Sequence, residues 1–302
     1  MKGLSRLRAL ILMLSLASCY SSVIYAQMPA KTNVIIYCDL SDRLARPGQI
    51  ATDKLLISEI LNNFRDNVSS KYIGGQLRSY DKLSIHFNPP IAGSDIASNL
   101  SVDFSNGKHH EKLKKFLDVF PKDELSKIDE VVSQLYAKAK GQHPKYPGSD
   151  LYSFLRNDLQ SLLVPDYENR LIILTDGYVY MSKSNPSRIG NKLGHLEGPY
   201  LDPLRNKNDW IDRYVSGDWG LVKSGVKFND LKVLCLQFVP DCINNSKRPR
   251  TNLRPLKPCL NEFDLLKKIW GDWFAYMGVS EISILSKKEN ITPSVNTIND
   301  FL

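Results

Sequence analysis

Along the chain, short unbroken apolar runs alternate with longer stretches in which apolar residues recur every three or four positions. The runs at 33–38, 171–174 and 231–239 are bounded by polar residues and predict strands buried on both faces. Residues 81–87 alternate polar and apolar and predict a further strand, with 100–104 as a neighbouring edge strand and 282–285 as a last short one. Helical spacing of Leu56, Ile57, Ile60, Leu61, Phe64 and Val68 predicts a core-facing helix over 52–68, with Thr52 as its cap. Residues 109–140 read as two amphipathic helices broken near Phe120-Pro121. Ser149 suits the N-cap of a helix reaching Leu163. Asn261 suits the cap of one reaching Met277, with Leu266, Ile269, Trp270, Trp273 and Phe274 on one side. Strands alternating with helices predict an α/β fold: an open, doubly wound, mostly parallel central sheet flanked by helices. With no internal repeat or linker, residues 33–286 read as one domain and 287–302 as a loose C-terminal tail.

The connection from 178 to 226 far exceeds the usual length of about 4–6 residues and reads as functional. Trp210, Tyr214 and Trp219 within it argue for order and for large contact areas.

Composition changes this picture little. A hydrophobic content of 42% and an aromatic content of 10% in 302 residues support a real core. Three of the eight net positive charges sit on Lys2, Arg6 and Arg8, so the remainder is only mildly basic. No dense Lys/Arg tract with interleaved aromatics points to nucleic acid.

The N-terminus reads as an export signal, with a positive start and an apolar stretch over 9–16 that falls short of the about 20 residues needed to span a bilayer. Two processing sites compete. Leu16-Ala17-Ser18-Cys19 resembles a bacterial lipobox, which implies a signal over 1–18, a lipid on Cys19 and a membrane anchor. Ile24-Tyr25-Ala26 alternatively ends an ordinary signal peptide over 1–26. Either route exports the chain to the cell envelope, with 27–32 as a tether. Export permits disulfides. Cys38 and Cys235 lie in apolar runs and read as buried core residues. Cys242 and Cys259 flank a basic, proline-rich loop that a disulfide between them would close, worth about 3 kcal/mol.

The strongest chemical signal lies where two buried runs end. The first stops at Asp39, Ser41 and Asp42, the second at Thr175, Asp176 and Gly177. Carboxyl ends of parallel strands are where α/β sheets bind ligands, so two carboxylates are expected on one rim. Asp39-Leu40-Ser41-Asp42-Arg43, Gly148-Ser149-Asp150 and Leu174-Thr175-Asp176-Gly177, in that order, resemble the D-x-S-x-S, G-T-D and L-T-D-G segments of von Willebrand factor A-type domains. The resemblance implies a divalent-cation site, usually magnesium, completed by a partner's carboxylate. It assigns Ser41 and Ser149 as direct ligands, and Asp39 and Asp176 as ligands directly or through water. Short oxygen-bearing side chains suit an octahedral ion that keeps several waters.

Arg43 departs from that pattern, because a guanidinium cannot ligate a cation. It is expected either to pair with Asp42 or to fill the cation's place beside Asp39 or Asp176. His86 reads as a core strand residue. His109 and His110 read as a solvated helix start. His143 and His195 lie in loops with no nucleophile to pair. No G-x-S-x-G elbow, HExxH or P-loop occurs. The expectation is a non-enzymatic, exported module that binds a protein or peptide at the rim, with or without magnesium. A metal-dependent hydrolase and a metal-free structural part of an envelope complex are the alternatives.

Overall fold

The computed structural model describes residues 30–73, 76–77, 79–89, 101–104, 130, 134, 148–181, 187–240, 261–288 and 290–302. The export signal with Cys19, the helices expected over 109–140 (apart from 130 and 134), His143 and the cysteines at 242 and 259 lie outside the described residues. Residues Lys31–Leu302 form one compact unit. Among the described residues no helix is long and apolar enough to cross a membrane.

Six strands build the central sheet: β1 (Thr32–Asp39), β2 (Lys82–Asn88), β3 (Ser101–Asp103), β4 (Glu168–Leu174), β5 (Leu231–Phe238) and β6 (Glu281–Ser286). Their order is β6-β5-β4-β1-β2-β3. All neighbours are parallel except β2 and β3, so the sheet is mixed but mostly parallel. Starting from β1, the chain moves one way to β2 and β3, then returns to the other side of β1 to place β4, β5 and β6. The order therefore reverses between β1 and β4, which pair from Thr32↔Glu168 to Cys38↔Leu174.

Every residue of β1 is buried, as its unbroken apolar run requires. Alternate side chains enter two cores. Val34, Ile36 and Cys38 face α1 (Gln49–Ser70), while Ile35 and Tyr37 face the helices over 151–162 and 262–276. Helix α2 runs over Leu151–Ser153, through a π-helical stretch Phe154–Asp158, into Leu159–Leu162. Helix α3 covers Trp210–Ser216 and α4 covers Glu262–Tyr276. Cys38 and Cys235 are buried free thiols.

Three boundaries differ from expectation. Helix α1 begins at Gln49 behind Gly48, and Thr52 lies inside its first turn, its hydroxyl donating to the Gly48 carbonyl at 3.0 Å. The cap of α2 is Asp150, whose carboxylate accepts from the Ser153 N–H at 3.0 Å. Ser149 instead pairs with Tyr180 in a two-residue ribbon. The tail expected to be loose contains α5 (Thr292–Phe301), which buries Ile298 and Phe301 in the core beside α1. Its sequence and flanking residues carry apolar side chains at helical spacing, Ile291, Val295, Ile298 and Leu302, with Pro293 in the first turn, and tertiary packing holds so short a helix in place.

Candidate functional site at the carboxyl rim of the sheet

The parallel register that aligns Cys38 with Leu174 brings Asp39 beside Thr175 and Asp176. Asp39 is almost wholly buried. Its Oδ1 accepts from the Ser41 N–H at 2.9 Å, forming a tight turn out of β1, and its Oδ2 accepts from the Thr175 hydroxyl at 2.8 Å. Asp176 places Oδ1 on the Tyr178 N–H at 3.1 Å and Oδ2 on Arg46 at 2.8 Å. Burial, then the charge of Asp39, pushes the Asp176 carboxyl up to about 7, against the pull of Arg46.

Ser149 joins the same crevice through Tyr37. Its hydroxyl and the Tyr37 phenol are 2.8 Å apart in a buried contact. Burial, then the nearby Asp39 charge, pushes that phenol well above its usual range, with Asp150 adding to the effect. The Asp150 N–H donates to Asn88 at the end of β2, at 2.8 Å. All three sequence segments thus converge where the strand order reverses, the position at which α/β sheets take ligands.

Two glycines make that convergence sterically possible. A Cβ on Gly148 (φ +82°) would lie 2.1 Å from the Tyr180 carbonyl oxygen. A Cβ on Gly177 (φ +94°) would lie 2.6 Å from the Phe238 ring. The Gly177 carbonyl also accepts from the Trp270 indole at 2.9 Å, which locks the turn onto α4.

Arg43 is fully buried and lies beside Asp39, one of the places expected for it, but its closest partner is Asp53. Its guanidinium grips Asp53 of α1 at 2.7 and 3.3 Å, and donates to the last carbonyls of both central strands, Asp39 O at 2.6 Å and Leu174 O at 3.1 Å. It remains 3.8 Å from the Asp39 carboxylate. Gln49 supports Asp53 at 2.9 Å, and Lys287 donates to Gln49 at 2.7 Å. Arg43 therefore fastens α1 to the ends of β1 and β4. The cation that faces Asp176 is Arg46, three residues on.

This arrangement can be tested against a magnesium ion. Both Asp39 oxygens already accept internal donors, the Ser149 hydroxyl is engaged with Tyr37, and Asp176 holds a guanidinium. A divalent ion about 4 Å from one guanidinium would meet repulsion on the order of 8 kcal/mol at an effective dielectric of about 20. The donor set does not fit an octahedral ion as arranged. Among the described residues no group of three His, Cys, Asp or Glu side chains is placed to hold a metal.

Arg46 and Asp53 belong to the site and carry no local motif that names them, whereas Thr175 stands in a segment the sequence marked. Gln237, near the end of β5, borders the site through its backbone neighbours. It is 1% exposed, its backbone is left-handed (φ +76°), and its buried Oε1 has no hydrogen-bond partner among the described residues. It lies in the register shift between Cys235 and Phe238, beside the residues whose backbones hold the 175–176 turn: Thr175 N to Leu236 O at 3.1 Å, and Val239 N to Asp176 O at 3.0 Å.

The aromatic residues Tyr214 and Trp219 of the long connection lie elsewhere, while His195 packs at the edge of the rim. Tyr214 and Trp219 line a cavity of about 320 Å³ against Trp273 and Tyr276 of α4, and none of the rim residues borders it. His195 is buried against Tyr180, with ring centroids 5.7 Å apart, and burial pulls its pKa down. Comparison of the chain with known protein families, with curated proteins and with solved structures finds no match.

Proposed function

We propose that the chain is an exported, lipid-anchored binding module of the cell envelope, similar to von Willebrand factor A-type domains, that recognises a protein or peptide partner at the carboxyl rim of its sheet. One observation carries this reading. At the reversal of strand order, two buried carboxylates and a guanidinium converge, with a left-handed glutamine, whose buried Oε1 lacks a hydrogen-bond partner among the described residues, next to the residues that hold the 175–176 turn. A buried acceptor without a partner and a left-handed non-glycine residue each cost free energy, and such costs collect where a surface serves a ligand. Tyr180, 40% exposed and paired with Ser149, adds apolar contact area at the same edge.

A second reading, a metal-free structural component, is favoured by the internal hydrogen bonds that already engage Asp39, Ser149 and Asp176. Site-specific photocrosslinking in the native envelope separates the two. A crosslinker at Ser41 or Tyr180 is expected to capture one and the same partner, and a crosslinker at exposed Leu55 or Val215 is expected not to. Capture at Leu55 or Val215 but not at the rim would sink the recognition reading.

A further inference from the structure

We propose that the cavity of about 320 Å³ between the long connection and α4 is a binding site for one neutral saccharide ring. This site is separate from the rim, none of whose residues borders it, so either can fail without the other.

Two stretches of chain enclose the cavity. Residues from 214–223 line one side and residues from 269–276, the second half of α4, line the other. Lys192, from the short strand paired with Gly220–Leu221, completes the lining. The walls are fixed before any ligand arrives. The Trp273 indole donates to the Val222 carbonyl at 3.2 Å, the Tyr214 hydroxyl to Asp272 at 3.0 Å, and the Asn191 amide to the Gly217 carbonyl at 2.8 Å. Tyr152 stacks on Trp273, with ring centroids 5.8 Å apart. The volume falls at the lower end of the range of small-molecule sites, about 300–1,000 Å³, and such sites are usually preformed.

The lining selects the ligand. Four of its side chains are aromatic: Tyr214, Trp219, Trp273 and Tyr276. Four are charged: Lys192, Asp218, Lys223 and Asp272. A wholly apolar ligand would strip water from those charges and return no hydrogen bond. The four charges sum to zero, so the lining as a whole favours neither a cation nor an anion. The cavity also meets α4 at its carboxyl end, where the helix dipole is negative, so a phosphate finds no complementary field there. A quaternary ammonium fares no better. Lys223 and Lys227 already hold their ammonium groups 4.5 and 4.0 Å from the centre of the Tyr276 ring, the place such a ligand would take. A neutral pyranose meets every condition. Its C–H face packs on the negative face of an aromatic ring, and its hydroxyls donate to carboxylates and accept from ammonium groups. Trp219 and Tyr276 are the half-buried rings of the lining and offer such a face. The polar edge comes from Asp218, with a side-chain exposure of 80%, and from Lys223, which is exposed and has no carboxylate partner among the described residues.

The test is ligand-observed saturation-transfer NMR on the protein with the methyl glycosides of glucose, galactose, mannose and N-acetylglucosamine, and with AMP and choline as controls. At least one glycoside is expected to bind saturably at millimolar concentration, with the C–H protons of one ring face taking most of the transferred saturation. Trp219→Ala is expected to weaken that binding by about tenfold, through loss of the stacked ring. Asp218→Gly is expected to weaken it by about tenfold as well, through loss of an acceptor for sugar hydroxyls. Glycine suits the left-handed backbone at 218 (φ +50°), and the side chain removed is exposed, so this variant leaves the core intact. Leu55→Ala, on the exposed face of α1, is expected to leave the affinity unchanged. Saturation by none of the four glycosides, saturation by AMP or choline alone, or affinity retained in either Trp219→Ala or Asp218→Gly would overturn the proposal.

Discussion

At the scale of single residues, the rim is governed by burial acting on charge. Arg43 and Asp53 form an ion pair with side-chain exposures of 0% and 9%, and removing one partner strands the other in the interior. Arg43→Ala is therefore expected to cost about 3–5 kcal/mol in urea denaturation. The double change Arg43→Met with Asp53→Leu is expected to recover only part of that loss, because it removes the lone Asp53 charge but leaves Asp39 without its nearby guanidinium and the Asp39 and Leu174 carbonyls without their donor. Asp176 makes a separate prediction. Its carboxyl titrates near 7 in the folded chain and near 3.8 when unfolded, so between those values the folded state holds more protons. Stability is expected to be highest, as far as this group decides it, below about pH 4, to fall as pH rises toward 7, and to level above that. Asp176→Asn is expected to flatten that slope in denaturation curves measured from pH 4 to pH 8.

At the scale of elements, the ends of strands and helices decide more than their middles. Gly177 sits against the Phe238 ring in a left-handed conformation, so Gly177→Ala combines backbone strain with overpacking. It is expected to cost about 2–4 kcal/mol, read from the denaturation midpoint. The C-terminal helix α5 behaves as part of the core. Ile298 is fully buried, Asn299 is bonded to Asn63 of α1 at 2.9 Å, and the terminal carbonyl of Leu302 accepts from Arg170 of β4. Ile298→Ala is expected to destabilise the chain by about 2–5 kcal/mol, and ending the chain at Lys288 to lower the melting temperature by more than that single change does. A sequence pattern shows a helix when one face is continuously apolar. Helix α5 and its flanking residues carry Ile291, Val295, Ile298 and Leu302 at helical spacing, a signal that so short a tail hid; its pairing with α1 could not be read locally.

At the scale of the whole molecule, protection should follow the sheet from centre to edge. Strands β1, β4 and β5 are buried almost throughout, whereas β3 is three residues long with its ends exposed. Native-state hydrogen exchange is expected to find the slowest amides over 34–37, 171–174 and 233–236, and fast exchange over 101–103. Uniform protection across all six strands would contradict this layering. The same centre-to-edge order places the candidate site, since β1 and β4 are adjacent in the middle and their carboxyl ends share one crevice.

By itself the sequence determined the alternation of strands and helices, and hence an α/β sheet. A strand buried on both faces must be apolar without interruption, and that constraint is written residue by residue. It likewise marked Asp39, Ser41 and Asp176, because polar residues that abruptly end a buried run stand out against it; Ser149 was marked as a site residue only through the resemblance of Gly148-Ser149-Asp150 to a family segment. Only the tertiary structure decided which charges meet. Arg43 and Asp53 are separated by a turn and the first turn of a helix, and Arg46 and Asp176 by 130 positions along the chain. No local pattern couples such pairs, since an ion pair depends on where two backbones cross and not on what stands beside either residue. For the same reason, the cation on Asp176 proved to be Arg46, while its more conspicuous neighbour Arg43 lies beside Asp39.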